Sequence, residues 1–145
     1  MNKWKFYLAG AICNEKDPHS WRDDLKEFLR CEGHTYIDPT DIVNLEPVLK
    51  ELRERKQENL IRIIMNEWIL IRDKEAVLKC DAIIAYVPYY SVGTLREITL
   101  AHENKKPVYI VTDMDQSKIS NSLIGLSTAI FHDFEELKEF IEQFR

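Results

Sequence analysis

Ala82-Ile83-Ile84-Ala85-Tyr86-Val87 is an unbroken apolar run, preceded by Asp81 and followed by Pro88. A strand with one face in water alternates polar and apolar residues. A short run with no polar member must be covered on both faces, as a central strand of a parallel sheet is. Hairpins cannot join parallel neighbours, so the flanking chain must supply crossover helices. Upstream, residues 45–79 contain no breaker except Pro47 and read as two helices, roughly 45–57 and 58–79. Downstream, Pro88–Gly93 reads as a loop, Thr94–Asn104 as a helix and Pro107–Val111 as the next strand.

The alternation continues to both ends. Phe6–Ala9 is a strand that stops at Gly10. Asp17-Pro18 starts a helix, with a capping side chain followed by proline in the first turn. Trp21, Leu25, Phe28 and Leu29 share one face of it, and Gly33 ends it. His34–Ile37 is a strand and Asp38–Asp41 a turn. Residues 113–127 are loop and short helix, Thr128–Phe131 is a fifth strand, and Asp133 caps a last helix through Phe134, Leu137, Phe140, Ile141 and Phe144. Strands alternating with helices, without a hairpin signal, predict an α/β fold. We expect three layers (αβα) around a five-stranded parallel sheet, flavodoxin- or Rossmann-like. The chain has 145 residues and no linker, repeat or low-complexity tract, so one domain over 1–145 is expected. Helix 58–79 carries Leu60, Ile61, Ile63, Ile64, Trp68, Ile69 and Ile71, apolar nearly all round. That pattern predicts burial in the domain or in an oligomer interface.

A net charge of −5 argues against a broad surface for nucleic-acid polymers or anionic membranes, since both require a Lys/Arg excess. Cys13, Cys31 and Cys80 are scattered, and the four histidines have no metal-ligand spacing with them. Neither a disulfide framework nor a metal site is expected, and a reducing cytoplasmic setting follows. The start, Met1-Asn2-Lys3-Trp4-Lys5, lacks a signal-peptide pattern. Arg62, Asn66 and Glu67 interrupt the apolar stretch Leu60–Ile71, which therefore does not read as a membrane span.

Open parallel sheets bind ligands beyond the carboxyl ends of their strands. That rule points to Ala9–Asn14, Asp38–Asp41, Pro88–Thr94 and Thr112–Ser122. In Tyr7-Leu8-Ala9-Gly10-Ala11-Ile12, Gly10 allows close approach of backbone to a ligand, although an ordinary β–α turn reads the same way. Neither GxGxxG nor GxxxxGK[ST] occurs. In Ser91–Glu97, Thr94 and Glu97 have the spacing of a helix capping box. The functional alternative places Glu97 in a first helical turn, kept ionised by the helix N-terminus and able to attack an anomeric carbon. Asp73, late in an apolar helix, could protonate a leaving base; alternatively it is a solvated charge beside Arg72 and Lys74. Lys16, His19 and Arg22 follow the first loop and could meet a phosphate, or simply be solvated.

In chain order, Tyr7-Leu8-Ala9-Gly10, Trp21-Arg22, Gly33-His34, Asp38-Pro39, Asp73, Asp81, Ser91-x-Gly93-Thr94-x-x-Glu97-Ile98-x-x-Ala101 and Lys106-Pro107-Val108 resemble the nucleoside 2-deoxyribosyltransferase family, with its related deoxynucleoside 5′-monophosphate N-glycosidases. The resemblance implies an enzyme that cleaves or exchanges the N-glycosidic bond of a 2′-deoxynucleoside or its 5′-monophosphate, without a cofactor. Glu97 would be the nucleophile of a covalent deoxyribosyl intermediate, Tyr7 would orient it, and Asp73 would be acid and base at the nucleobase. Ala9, Gly10, Ile12, Ser91, Gly93 and Thr94 would line the substrate site. Members of the family are commonly dimers or larger, and Asn121, or Ser120 and Ser122, would reach the site from a neighbouring subunit. Ser91 stands six residues before Glu97, where the transferases usually carry aspartate. A serine there is similar to the monophosphate hydrolases, since a hydroxyl can donate to a phosphate that a carboxylate would repel. Ala11 stands where proline is frequent. Two other classes fit the same sequence: a non-catalytic nucleotide sensor on this fold, and a partner-binding protein using helix 58–79.

Overall fold

A computed structural model describes residues 3–12, 15–41 and 45–144. Five strands, β1 (Lys5–Ala9), β2 (Thr35–Ile37), β3 (Ala82–Tyr86), β4 (Val108–Val111) and β5 (Ala129–Phe131), form one sheet in the order β2-β1-β3-β4-β5. Every pairing is parallel. The helices are α1 (Ser20–Cys31), α2 (Glu46–Glu54), α3 (Glu58–Ile64), α4 (Ile71–Lys79), α5 (Val92–Glu103), α6 (Asn121–Leu126) and α7 (Phe134–Glu142). This is the α/β, flavodoxin-like architecture. Strand order reverses between β1 and β3, and that switch point opens a crevice at their carboxyl ends.

Residues of the apolar run are buried through Ala85, because β3 lies between β1 and β4. The edge strands β2 and β5 are only half-buried. Side-chain alternation divides the interior in two. Tyr7, Ala9, Ile83, Ala85, Val108 and Ile110 meet α4, α5 and α6 through Ala76, Val77, Ile98, Ala101 and Leu123. Phe6, Leu8, Ala82, Ile84, Tyr109 and Val111 meet α1 and α7 through Leu25, Leu29, Leu137 and Ile141.

Helix ends follow the punctuation residues. Asp17 Oδ1 accepts from the N–H groups of His19 and Ser20, at 3.3 and 3.0 Å, just ahead of α1. Gly33, at φ 82°, takes the left-handed conformation that lets the chain turn into β2. Asp133 accepts from Glu136 N–H while the Glu136 carboxylate accepts from His132 N–H, a reciprocal cap on α7.

The stretch 58–79 departs from expectation. It divides into α3, a π-helical segment (Met65–Leu70) and α4, and among these only Asp73, Ala76 and Val77 are buried. Burial of the whole stretch within the domain is thus overturned: Leu60, Ile63, Trp68 and Ile71 are exposed on the single chain. The reason is length. Twenty-two helical residues span about 33 Å, whereas a five-residue strand spans about 17 Å. The amino-terminal half therefore packs on α2 and the π segment instead of the sheet. Among the described residues, no helix is long and apolar enough to cross a membrane.

Candidate active site

Tyr7 comes from the middle of β1, Asp73 from the first turn of α4 and Glu97 from the second turn of α5. Their relative exposures are 1%, 9% and 7%, so all three are withdrawn from bulk water. They sit together on the α4–α5 side of the sheet. The Tyr7 hydroxyl lies beside the Glu97 carboxyl and favours its ionised form, and Asp73 acts electrostatically on both. No well-formed hydrogen bond closes the Tyr7–Glu97 contact: Tyr7 Oη and Glu97 Oε2 are buried without a partner, as is Thr94 Oγ1.

Burial governs the proton affinities here. It pushes the Glu97 carboxyl up to about 7, against the Tyr7 contact, and the nearby Asp73 charge adds to the rise. The Tyr7 phenol is raised by burial and then by the Glu97 and Asp73 charges. Asp73 is also raised by burial, with Arg72 and Arg96 opposing. Glu97 lies beyond the first helical turn, where the pull of a helix terminus has largely faded. The expectation of a carboxylate kept ionised by the helix N-terminus is corrected accordingly: desolvation outweighs the terminus.

The capping-box alternative for Thr94 and Glu97 is not what forms. The α5 helix begins at Val92 with Ser91 as its cap residue, and the Ser91 side chain makes no capping bond. Thr94 is already the third helical residue, 3% exposed. A capping threonine must stand outside the helix to reach the free N–H groups. Thr94 and Glu97 are instead two buried polar side chains without a local structural task. Asp73 likewise is a buried, ion-paired group and not a solvated charge.

The glycine-ended first strand is shaped by packing. A Cβ on Gly10 would sit 2.6 Å from Trp21 Cζ2, so glycine lets α1 close onto the strand end. Arg22, read from sequence as a possible phosphate contact or a solvated residue, is fully buried. It donates to the carbonyls of Leu8, Pro18 and Gly10 at 3.3, 2.5 and 3.0 Å, and its Nε lies 3.5 Å from Asp38 Oδ1. Lys26 Nζ holds Asp38 Oδ2 at 2.5 Å. Pairing of β1 with β2 brings Asp38 behind the first loop and makes this burial possible. Lys16 and His19 are exposed.

Of the other expected substrate contacts, Ala9 is buried on the Tyr7 side and Ile12 is half-buried. Ser91 is half-buried and Gly93 exposed, and a Cβ at Gly93 would meet nothing within 4 Å. Asn121 and Ser122 open α6, exposed, without a hydrogen bond to the trio. Ser120 caps that helix through Leu123 N–H at 3.1 Å and is tied to Tyr90 Oη at 2.7 Å. A hollow of about 340 Å³ at the carboxyl rim is lined by Ala11, Glu15, Trp21, Tyr86 and Tyr89. A larger one, about 560 Å³, runs between the π segment and α5 and is lined by Arg96 but by none of the trio. The sequence signal for Arg22 was its place in the motif; Arg96 carried no signal beyond adjacency to Glu97.

Together, the parallel sheet with its switch point and the buried phenol–carboxyl cluster define a flavodoxin-like α/β protein with a site suited to nucleophilic and acid–base chemistry. Its fold is similar to that of a 2-deoxyribosyltransferase from Bacillus psychrosaccharolyticus, at 21% identity over 97% of this chain and 92% of that one, with a TM-score of 0.65. A conserved protein from Enterococcus faecalis V583 aligns at 16% identity over 98% and 99%, with a TM-score of 0.73. A CMP N-glycosidase from Clostridium botulinum aligns at 19% identity over 95% and 98%, with a TM-score of 0.56. No family model and no curated protein matches the sequence. At these identities the likeness is one of fold.

Proposed function

We propose that this protein is a glycosidase or transferase of 2′-deoxynucleosides or their 5′-monophosphates, working through a covalent deoxyribosyl–Glu97 intermediate. The observation that carries the reading is the convergence of Tyr7, Asp73 and Glu97, with Glu97 Oε2 buried and unpaired. Fold neighbours that include a deoxyribosyltransferase and a CMP N-glycosidase support it.

In the first step the ionised Glu97 carboxylate forms a bond to C1′ as the C1′–N bond breaks. The bonding pair leaves with the base, which takes a proton from Asp73. Positive charge developing at C1′ is stabilised by the carboxylate in a site shielded from water. Water or a second base then attacks C1′, Glu97 departs as carboxylate, and Asp73 recovers a proton from the attacking group. The Tyr7 hydroxyl favours the ionised, attacking form of Glu97. Asp73, raised by burial, favours the protonated form that an acid needs.

The test is base release and base exchange with the four common deoxynucleosides and their 5′-monophosphates. Wild type should release base, and Glu97→Ala should lose about a thousandfold or more while still binding substrate. Release without exchange, confined to monophosphates, would assign the hydrolase branch favoured by Ser91; exchange on free nucleosides would assign the transferase. Binding without release under any condition would leave a nucleotide sensor.

The exposed apolar residues Leu60, Ile63, Trp68 and Ile71 support a second part of the reading, a homodimer or higher oligomer in which Asn121 or Ser122 reaches a neighbour's site. Sedimentation over a range of concentrations should give at least a dimer. A strict monomer rules out the shared site.

A further inference from the structure

Arg96 precedes Glu97 on α5 but serves a different neighbour. Successive helical residues point about 100° apart, so Glu97 turns toward Tyr7 on β1 while Arg96 turns toward α4. Arg96 Nη2 lies 3.3 Å from Asp73 Oδ2, and Arg72 Nη2 lies 3.7 Å from Asp73 Oδ1. Each Asp73 oxygen thus has its own guanidinium, one from its own helix and one from the helix that carries Glu97. The Arg96 side chain is 32% exposed and forms part of the wall of the 560 Å³ hollow, with Asn66, Leu70, Lys74 and Leu95. It therefore links the closed site to the molecular surface.

We propose that Arg96 is a positioning residue of the active site, which by holding Asp73 Oδ2 governs how readily Asp73 gives its proton to the leaving base. The inference rests on the catalytic reading of that pair. Two carboxyl groups sharing a buried space resist double ionisation, so an ionised Glu97 favours a proton on Asp73, and the cation nearest Asp73 sets how readily that proton leaves. Facing Asp73 are Arg72 on its own helix, Arg96 and Glu97 on α5, and Tyr7 on β1, while Lys74 lines the neighbouring hollow. Of these cations, Arg96 makes the shortest contact with Asp73, and it alone comes from the helix of Glu97. Without it, Asp73 should keep its proton to higher pH. Glu97 should move less, because it loses a distant attraction from Arg96 together with the repulsion from an ionised Asp73.

The experiment follows the Asp73 carboxyl directly, by 13C NMR titration of protein labelled at aspartate, beside the pH profile of base release. In Arg96→Met the Asp73 midpoint should rise by about one unit. The Arg96→Lys midpoint should return most of the way, and the limbs of the pH–rate profile should shift while KM stays within about threefold. A purely structural arginine would lower the rate equally at every pH and leave the midpoint in place. If Arg96→Met does not fold, Arg96→Gln gives the same readout with a donor that carries no charge. An unmoved Asp73 midpoint in a protein that releases base overturns this proposal alone. Wild type that releases no base overturns the glycosidase reading, and the catalytic meaning of Arg96 with it.

Discussion

On the face of the sheet covered by α1 and α7, alternate strand residues meet rings. Trp4 lies tilted against Phe144 with centroids 4.9 Å apart, Tyr109 and Phe131 each lie 5.3 Å from Phe140, and Trp21 lies 5.7 Å from Phe134. The buried charge at its edge, Arg22, has three carbonyls and Asp38 as partners. On the opposite face, under α4, α5 and α6, the same strands present Tyr7 to Asp73 and Glu97, and there Tyr7 Oη, Glu97 Oε2, Thr94 Oγ1 and Arg72 Nε are buried without partners. An unsatisfied buried polar atom costs about 1–3 kcal/mol. Such atoms persist where a ligand completes them; beside Arg22 the corresponding atom, Asp38 Oδ2, lacks a well-formed hydrogen bond but has the Lys26 ammonium at 2.5 Å. One side of the sheet thus reads as the stabilising one and the other as the proposed catalytic one, at some cost in stability.

Arg22 is the residue on which the packed side depends most. Arg22→Met removes a donor from three carbonyls and leaves Asp38 with only the half-buried Lys26 as a cation, so it should cost about 3–5 kcal/mol in urea unfolding. A loss well under 1 kcal/mol would show that this side is not the stabilising one.

A smaller effect tests the opposite side. Glu97 has a folded-state pKa of about 7 against a reference of 4.5, so between those values the folded chain holds a proton the unfolded chain has lost. Stability from this group is greatest below about pH 4.5 and falls as pH rises through 7, by about 3 kcal/mol in all. In Glu97→Gln that decline should vanish, leaving the variant more stable than wild type at pH 8 while catalytically inactive. Parallel pH–stability curves for the two proteins would mean that Glu97 is not strained by burial.

Much of the scaffold was readable from residues alone. The apolar run at 82–87, the Gly33 stop and the Asp133 cap each act through neighbours a few positions away, so their meaning survives without a fold. Thr94 and Glu97 show the limit. Their spacing is the same in a capping box and in a buried site, and only the actual start of α5 at Val92 separates the two. Arg22 looked solvated because a charged residue on a helix usually is; its burial depends on Asp38 arriving from β2. The exposure of Leu60 and Trp68 depends on how far a helix outruns the sheet, which hydrophobic periodicity does not encode.

From the chain by itself came the five strands, the crossover helices and the rule that chemistry belongs at the carboxyl rim, since period and punctuation are local properties. Tertiary structure decided the strand order, the unpaired state of Glu97 Oε2 and the grip of Arg96 on Asp73. Residues 7, 73 and 97 are remote in sequence, and they meet because β1 pairs with β3 while α4 and α5 cover the same face. Desolvation, which sets the proton affinities there, exists only once that cover has closed.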